Sequence, residues 1–124
     1  MGKAKILIAD DIKQNVKLLR VILTASEYDV IEAYDGEEAL GKVLTENPDL
    51  ILLDIMMPKL DGIGVLTALK NKPAKKANGP VVVMTNLSGD PVIRKALDLG
   101  AKECFIKTEM TPDQVVEKIR SLVG

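Results

Sequence analysis

Short apolar runs alternate with stretches of helical periodicity along the whole chain, and few folds accommodate that alternation. The runs at Lys5–Ala9, Asp29–Ala33, Leu50–Leu53, Val81–Met84 and Glu103–Ile106 are the candidate strands. Ile6–Ala9, Leu50–Leu53 and Val81–Met84 are unbroken apolar segments, as expected of parallel strands covered on both faces. Between them, Ile12, Val16, Leu19 and Leu23 step by four, three and four, the spacing of one buried helix face. Ala39, Leu40, Val43 and Leu44 form a second stripe, and Ile63, Leu66 and Leu69 a shorter third. Val92, Ile93, Ala96 and Leu97 mark a fourth helix; Val115, Val116, Ile119, Leu122 and Val123 mark a fifth. Strict βα alternation predicts an α/β fold: a doubly wound parallel sheet with helices on both faces and right-handed crossovers.

Helix-end chemistry agrees with these divisions. Asp35 with Glu38 three residues on, and Thr111 with Gln114, have capping-box spacing. Pro112 stands at a first helical position, and Asp90-Pro91 predicts a cap followed by proline. Gly100 falls where the fourth helix should stop. Lys70–Gly79 is polar and small-residue rich, and is expected to be a surface loop. No repeat or internal boundary interrupts the pattern, so residues 1–124 are expected to form one domain.

Composition excludes several function classes. Seventeen basic residues against eighteen acidic ones leave no electrostatic footprint for DNA or membrane. The lysines at 70, 72, 75 and 76 are expected to be a solvated cluster rather than a phosphate-binding patch. Aromatics make up only 2%, which disfavours base stacking. The chain has no histidine, so it is no phosphohistidine carrier, histidine-based zinc site or hydrolase with a histidine base. One cysteine, Cys104, and an N-terminal apolar run too short for a signal or a span point to the cytoplasm, with no membrane partner.

The chemistry lies in what ends the strands. The first strand runs into Asp10-Asp11, the third into Asp54, the fourth into Thr85 and the fifth into Lys107. In an open parallel sheet these carboxyl ends share one edge, where such folds place their ligands. If the first and third strands are neighbours, their aspartates crowd one pocket about 5 Å across. Like charges at that range call for a cation or a raised pKa, and carboxylate oxygens suit Mg²⁺. A carboxylate beside Mg²⁺ can attack a phosphoryl group, with Lys107 and Thr85 supplying charge and a hydrogen bond. Singly, each residue has a plainer role: Asp10 or Asp11 a helix cap, Asp54 the start of a loop, Thr85 a strand end, Lys107 a solvated lysine. Their conjunction at four strand ends favours the shared site.

These residues resemble the receiver domains of two-component response regulators over essentially the whole chain. The resemblance rests on Ile6-Leu7-Ile8-Ala9-Asp10-Asp11, on Asp54-Ile55-Met56-Met57-Pro58-Lys59-Leu60-Asp61-Gly62, on Met84-Thr85, and on Gly100-Ala101 leading to Lys107. It implies the flavodoxin-like strand order 2-1-3-4-5. It also implies Asp54 as phosphoacceptor, Asp11 as a direct Mg²⁺ ligand, Asp10 acting mostly through water, and the Met56 carbonyl as a further ligand. Lys107 would pair with the phosphoryl group or Asp54, and Thr85 would move to bond a phosphoryl oxygen. The implied donor is a phosphohistidine on a sensor kinase or phosphotransfer protein, docking on the first helix around Gln14, Asn15 and Lys17. Output would pass from the fourth helix, fifth strand and fifth helix to a downstream protein, from a monomer or a phosphorylation-dependent dimer. With no further segment after Val123-Gly124, direct nucleic-acid contact is not expected, and output needs a partner or a larger hybrid protein.

Three positions depart from the family pattern. Cys104 stands where a switch aromatic usually lies, with Phe105 expected on the opposite face. Thr108 follows Lys107 where proline is common, and Asn86, in place of a small residue, would narrow phosphodonor access. Met56 and Leu87, two positions after Asp54 and Thr85, suggest slow hydrolysis of a phosphoryl-aspartate by crowding the attacking water. Three other functions fit parts of the pattern: a flavin carrier, opposed by the scarce aromatics and paired aspartates; an aspartyl phosphohydrolase, opposed by Met56 at its acid/base position; and a phosphorylation-independent interaction module, supported by Cys104.

Overall fold

The computed structural model describes residues 3–71, 79–86 and 90–123, with the side chains of Asp90 and Thr108 outside that description. The chain alternates without exception among the described residues. The order is β1 (Lys5–Ala9), α1 (Lys13–Ala25), β2 (Asp29–Ala33), α2 (Gly36–Glu46), β3 (Leu50–Asp54) and α3 (Gly62–Asn71). It continues with β4 (Val81–Thr85), α4 (Asp90–Asp98), β5 (Glu103–Ile106), a 3-10 turn at Lys107–Glu109 and α5 (Pro112–Val123). All strand pairs are parallel and the sheet order is β2-β1-β3-β4-β5, as the resemblance implied.

Two apolar layers flank the sheet. Leu7, Ile51, Leu53 and Val83 face α2, α3 and α4 through Val43, Val65 and Ala96. Ile6, Ile8, Leu52 and Met84 face α1 and α5 through Val16, Leu23, Val116 and Ile119. Every residue of β3 and β4 is buried. This explains why those runs lack a polar face: each side of the strand meets helices.

The helical stripes are narrower than their periodicity suggested. Ile12 is 43% exposed because it is the N-cap of α1 and not part of its packed face. Leu44 and Leu97 are also exposed, one residue beyond Val43 and Ala96, which take the core positions. α3 continues through Lys70 and Asn71, so the predicted loop starts later; residues 72–78, with Lys72, Lys75 and Lys76, lie outside the described residues. α4 starts at Asp90 itself, one residue before the predicted start.

The capping boxes form. The Glu38 N–H donates to Asp35 at 2.8 Å, while the Glu38 carboxylate accepts from the Tyr34 N–H, one residue further back than expected. Thr111 and Gln114 exchange both bonds, at 2.9 and 3.2 Å. These fixed helix starts set where the strand ends emerge.

Candidate functional site

Register brings the acidic strand ends together. Ala9 pairs with Leu53 across β1 and β3, so the next residues, Asp10 and Asp54, leave adjacent strands side by side. Strand alternation continues Ile6, Ile8 into Asp10 and Leu50, Leu52 into Asp54, on the α1/α5 side of the sheet. Asp10 is fully buried and Asp54 only 4% exposed, whereas Asp11 is exposed at the mouth. One oxygen from each of the three lies within 4.8 Å of the others, a spacing that one hard cation can bridge.

Lys107 closes this cluster from the 3-10 turn that follows β5. Its Nζ donates to Asp10 at 2.7 Å and to Asp54 at 3.0 Å, with its own side chain 13% exposed. The contact with Asp10 goes beyond the pairing that the resemblance implies, with the phosphoryl group or Asp54. Burial works against the Lys107 ammonium, but the hydrogen bonds and charges of Asp10 and Asp54 outweigh it, so its pKa is raised. Burial raises the Asp54 carboxyl above the ordinary carboxylate value. The Lys107 bond and charge pull it back only in part, and the charge of Asp10 pushes it up again. A buried acid thus stays under electrostatic stress that a divalent cation would relieve.

Asp10 is held from its own side as well. Its Oδ1 accepts from the Ile12 N–H at 2.9 Å and its Oδ2 from Asn15 at 3.4 Å. The plain expectation of a capping role for Asp10 is therefore partly met: it fixes the turn into α1, although Ile12 is the N-cap. Asn15, one helical turn on, is half-buried, where the sequence predicts it exposed on the docking face. Its spacing from Asp10 was the signal available in the sequence. Gln14 and Lys17 are exposed as predicted.

The segment after Asp54 explains its own sequence. Met56 is 61% exposed while its N–H donates to Asp54 at 3.3 Å. Met57 turns inward and is 8% exposed. The Pro58 carbonyl accepts from Leu60 at 2.7 Å, with Lys59 at φ 68°, and from Gly36 at 3.4 Å. Asp61 accepts from the Gly64 N–H at 2.8 Å and starts α3. A Cβ on Gly62 would lie 2.5 Å from the Asp54 carbonyl, and one on Gly36 1.7 Å from the Leu60 carbonyl. Both glycines are required by close backbone approach, which clamps the loop against the site.

Thr85 ends β4, fully buried, and by alternation shares the face of Val83, whose register partner is Cys104. Cys104 packs on the α2–α4 layer and Phe105 on the α1/α5 layer, as predicted for adjacent strand positions. Burial raises the Cys104 thiol pKa. Asn86 is exposed beside the site. Leu87 lies outside the described residues.

Comparison with known proteins decides the family. The family model for the response regulator receiver domain matches residues 6–120. The chain belongs to the response regulator receiver family. The alkaline phosphatase synthesis transcriptional regulatory protein PhoP of Bacillus subtilis is 41% identical over 119 residues, covering 96% of this receiver and 48% of PhoP. The receiver domain of the Francisella response regulator 1452 superposes with a TM-score of 0.87 at 30% identity, covering 98% of this chain and 97% of that one. A chain of the CheX-CheY-BeF3-Mg complex of Borrelia burgdorferi superposes with a TM-score of 0.83 at 31% identity, covering 99% and 91%. This receiver spans half or less of the length of the curated relatives it matches. No described helix is long and apolar enough to cross a membrane.

Proposed function

We propose that this receiver, residues 1–124 acting as one unit, accepts a phosphoryl group on Asp54 from a phosphohistidine donor and signals through the resulting change in shape. The observation that carries the proposal is the buried Asp10–Lys107–Asp54 arrangement, with Asp11 at its mouth. An Asp54 oxygen attacks phosphorus, the P–N bond of the donor breaks, and the electron pair leaves with the imidazole, which takes up a proton. Asp10, Asp11, Asp54 and the Met56 carbonyl would hold Mg²⁺, which neutralises charge on the phosphoryl oxygens when bound. Lys107, already on Asp54, follows the growing charge onto the phosphoryl group. Thr85, at the end of the strand beside β3, would donate its hydroxyl to a phosphoryl oxygen.

The donor would be a sensor histidine kinase or histidine phosphotransfer protein, docked near the exposed Gln14 and Lys17 of α1. Output would go to a downstream protein, from a monomer or a phosphorylation-dependent dimer in the cytoplasm. Support for magnesium comes from the oxygen-only cluster and from the Borrelia neighbour, whose complex carries Mg and BeF3. Against turnover as a phosphohydrolase stands Met56, an exposed thioether with no acid or base to offer a leaving group. The test is an intact-mass spectrum after incubation with Mg²⁺ and acetyl phosphate. One added phosphoryl group is expected, absent with EDTA and in Asp54→Ala. An adduct that persists in Asp54→Ala would sink the assignment.

A further inference from the structure

The far corner of the β3–α3 loop, Pro58–Leu60, rests on the start of α2. The Gly36 N–H donates to the Pro58 carbonyl at 3.4 Å, and the Lys59 ammonium reaches Asp35 at 3.7 Å. A Cβ on Gly36 would stand 1.7 Å from the Leu60 oxygen and 2.4 Å from its carbonyl carbon. Both obstacles are backbone, so no side-chain rotation relieves them. Corner and helix would have to part by at least about 1.3 Å to reach the 3.0 Å at which real Cβ contacts begin. The corner cannot move alone. At the other end of the loop the Gly62 N–H donates to the Ile55 carbonyl at 2.8 Å, with Gly62 pressed against the Asp54 carbonyl. Met57 is buried and Leu60 packs on the α2–α4 layer, so neither side chain is free to swing out and absorb a displacement. Between the two anchors lies Met56, whose N–H donates to Asp54 Oδ1 at 3.3 Å.

We infer that Gly36 is a positioning residue for the phosphoacceptor site. By letting α2 touch the loop backbone, it sets where the Met56 peptide stands beside Asp54, and hence how tightly the acidic cluster holds Mg²⁺. Displacements near 1 Å at a distance from the chemistry are enough to spoil such a site. The inference rests on the metal reading of the cluster and extends it to a residue that lies outside the cluster and offers it no side chain.

The probe is magnesium chloride, titrated calorimetrically into the parent, Gly36→Ala and Val43→Ala. Val43 is buried about two turns further along α2, so Val43→Ala loosens the same helix without entering the loop. Gly36→Ala should bind Mg²⁺ about tenfold more weakly than the parent, as when a group that orients a metal ligand is lost, and Val43→Ala within about twofold. In EDTA, the Met56 amide resonance should move in ¹⁵N-labelled Gly36→Ala and hold its place in Val43→Ala. If Gly36→Ala does not fold, Lys59 offers a second route, because it stands at φ 68° with its side chain largely exposed. Lys59→Val and Lys59→Gly both lose the ion pair with Asp35, but only glycine accepts that φ without strain. Lys59→Val should weaken Mg²⁺ about fivefold, and Lys59→Gly should stay within about twofold of the parent. Gly36→Ala binding as tightly as the parent, Val43→Ala weakened equally, or equal binding by the two Lys59 variants would each overturn the inference. A parent that binds no Mg²⁺ would sink the metal reading itself, and the inference with it.

Discussion

Replacing Asp54 with asparagine should stabilise the metal-free protein, a testable consequence of placing a phosphoacceptor where its charge is unwelcome. The ionised carboxylate faces the oxygens of Asp10 and Asp11 within 4.8 Å, each repelling it by about 3.5 kcal/mol or more at an effective dielectric of about 20. The Lys107 ammonium at 3.0 Å returns about 5.5 kcal/mol on the same scale. Repulsion exceeds attraction by about 1.5 kcal/mol, solvent around exposed Asp11 reduces that excess, and desolvation of the buried carboxylate adds to the cost. A gain of about 1 kcal/mol at pH 7 follows, since asparagine removes the charge and its single oxygen keeps an acceptor for Lys107, at the loss of the Met56 bond. The sign follows from the raised pKa: an acid whose folded pKa lies above its unfolded value costs stability when ionised. That cost is complete above the folded pKa and fades as pH falls through it towards the ordinary value of 3.8. Urea unfolding in EDTA, followed by far-ultraviolet circular dichroism from pH 7 to pH 4, measures the difference. Millimolar Mg²⁺ should narrow or reverse it, because the parent gains a ligand for the ion. An Asp54→Asn protein less stable than the parent at pH 7 without metal would refute the electrostatic account.

Lys107→Met leaves two buried carboxylates without their shared cation, and should cost about 2–4 kcal/mol in EDTA, with part of the loss restored by Mg²⁺ in the same urea assay. Gly36→Ala forces a Cβ into the Leu60 carbonyl, and should cost about 2–4 kcal/mol by thermal unfolding, with faster amide exchange in the Pro58–Leu60 loop. Thr111→Ala removes the acceptor for the Gln114 N–H and should cost about 1 kcal/mol, leaving phosphorylation unchanged.

The sheet was legible because its central strands are apolar on both faces, a pattern that helix segments of that length cannot imitate here. Helix faces were less legible, since periodicity does not show where a stripe ends. Ile12, Leu44 and Leu97 continue their stripes in sequence, yet lie at a helix start or one step off the packed face. Asp10, Asp54 and Lys107 were legible as strand ends, and their convergence follows from the parallel register. Lys107 bridging both aspartates was not, because its reach depends on how β5 delivers the side chain across β4 and β3. Asn15 against Asp10, and the close approaches at Gly36 and Gly62, depend on distances between backbone segments that residue type alone does not encode. The split of Cys104 and Phe105 onto opposite layers was legible from strand alternation alone.

The central claim is that Asp54 itself carries the phosphoryl group. Borohydride reduces an acyl phosphate but leaves free carboxylates and phosphate esters intact. The receiver should be phosphorylated with acetyl phosphate and Mg²⁺, reduced, digested and mapped by tandem mass spectrometry. Conversion of Asp54 alone to homoserine, lost with EDTA, is the predicted result. Homoserine at Asp10 or Asp11, or an unreduced adduct elsewhere in the chain, would contradict it.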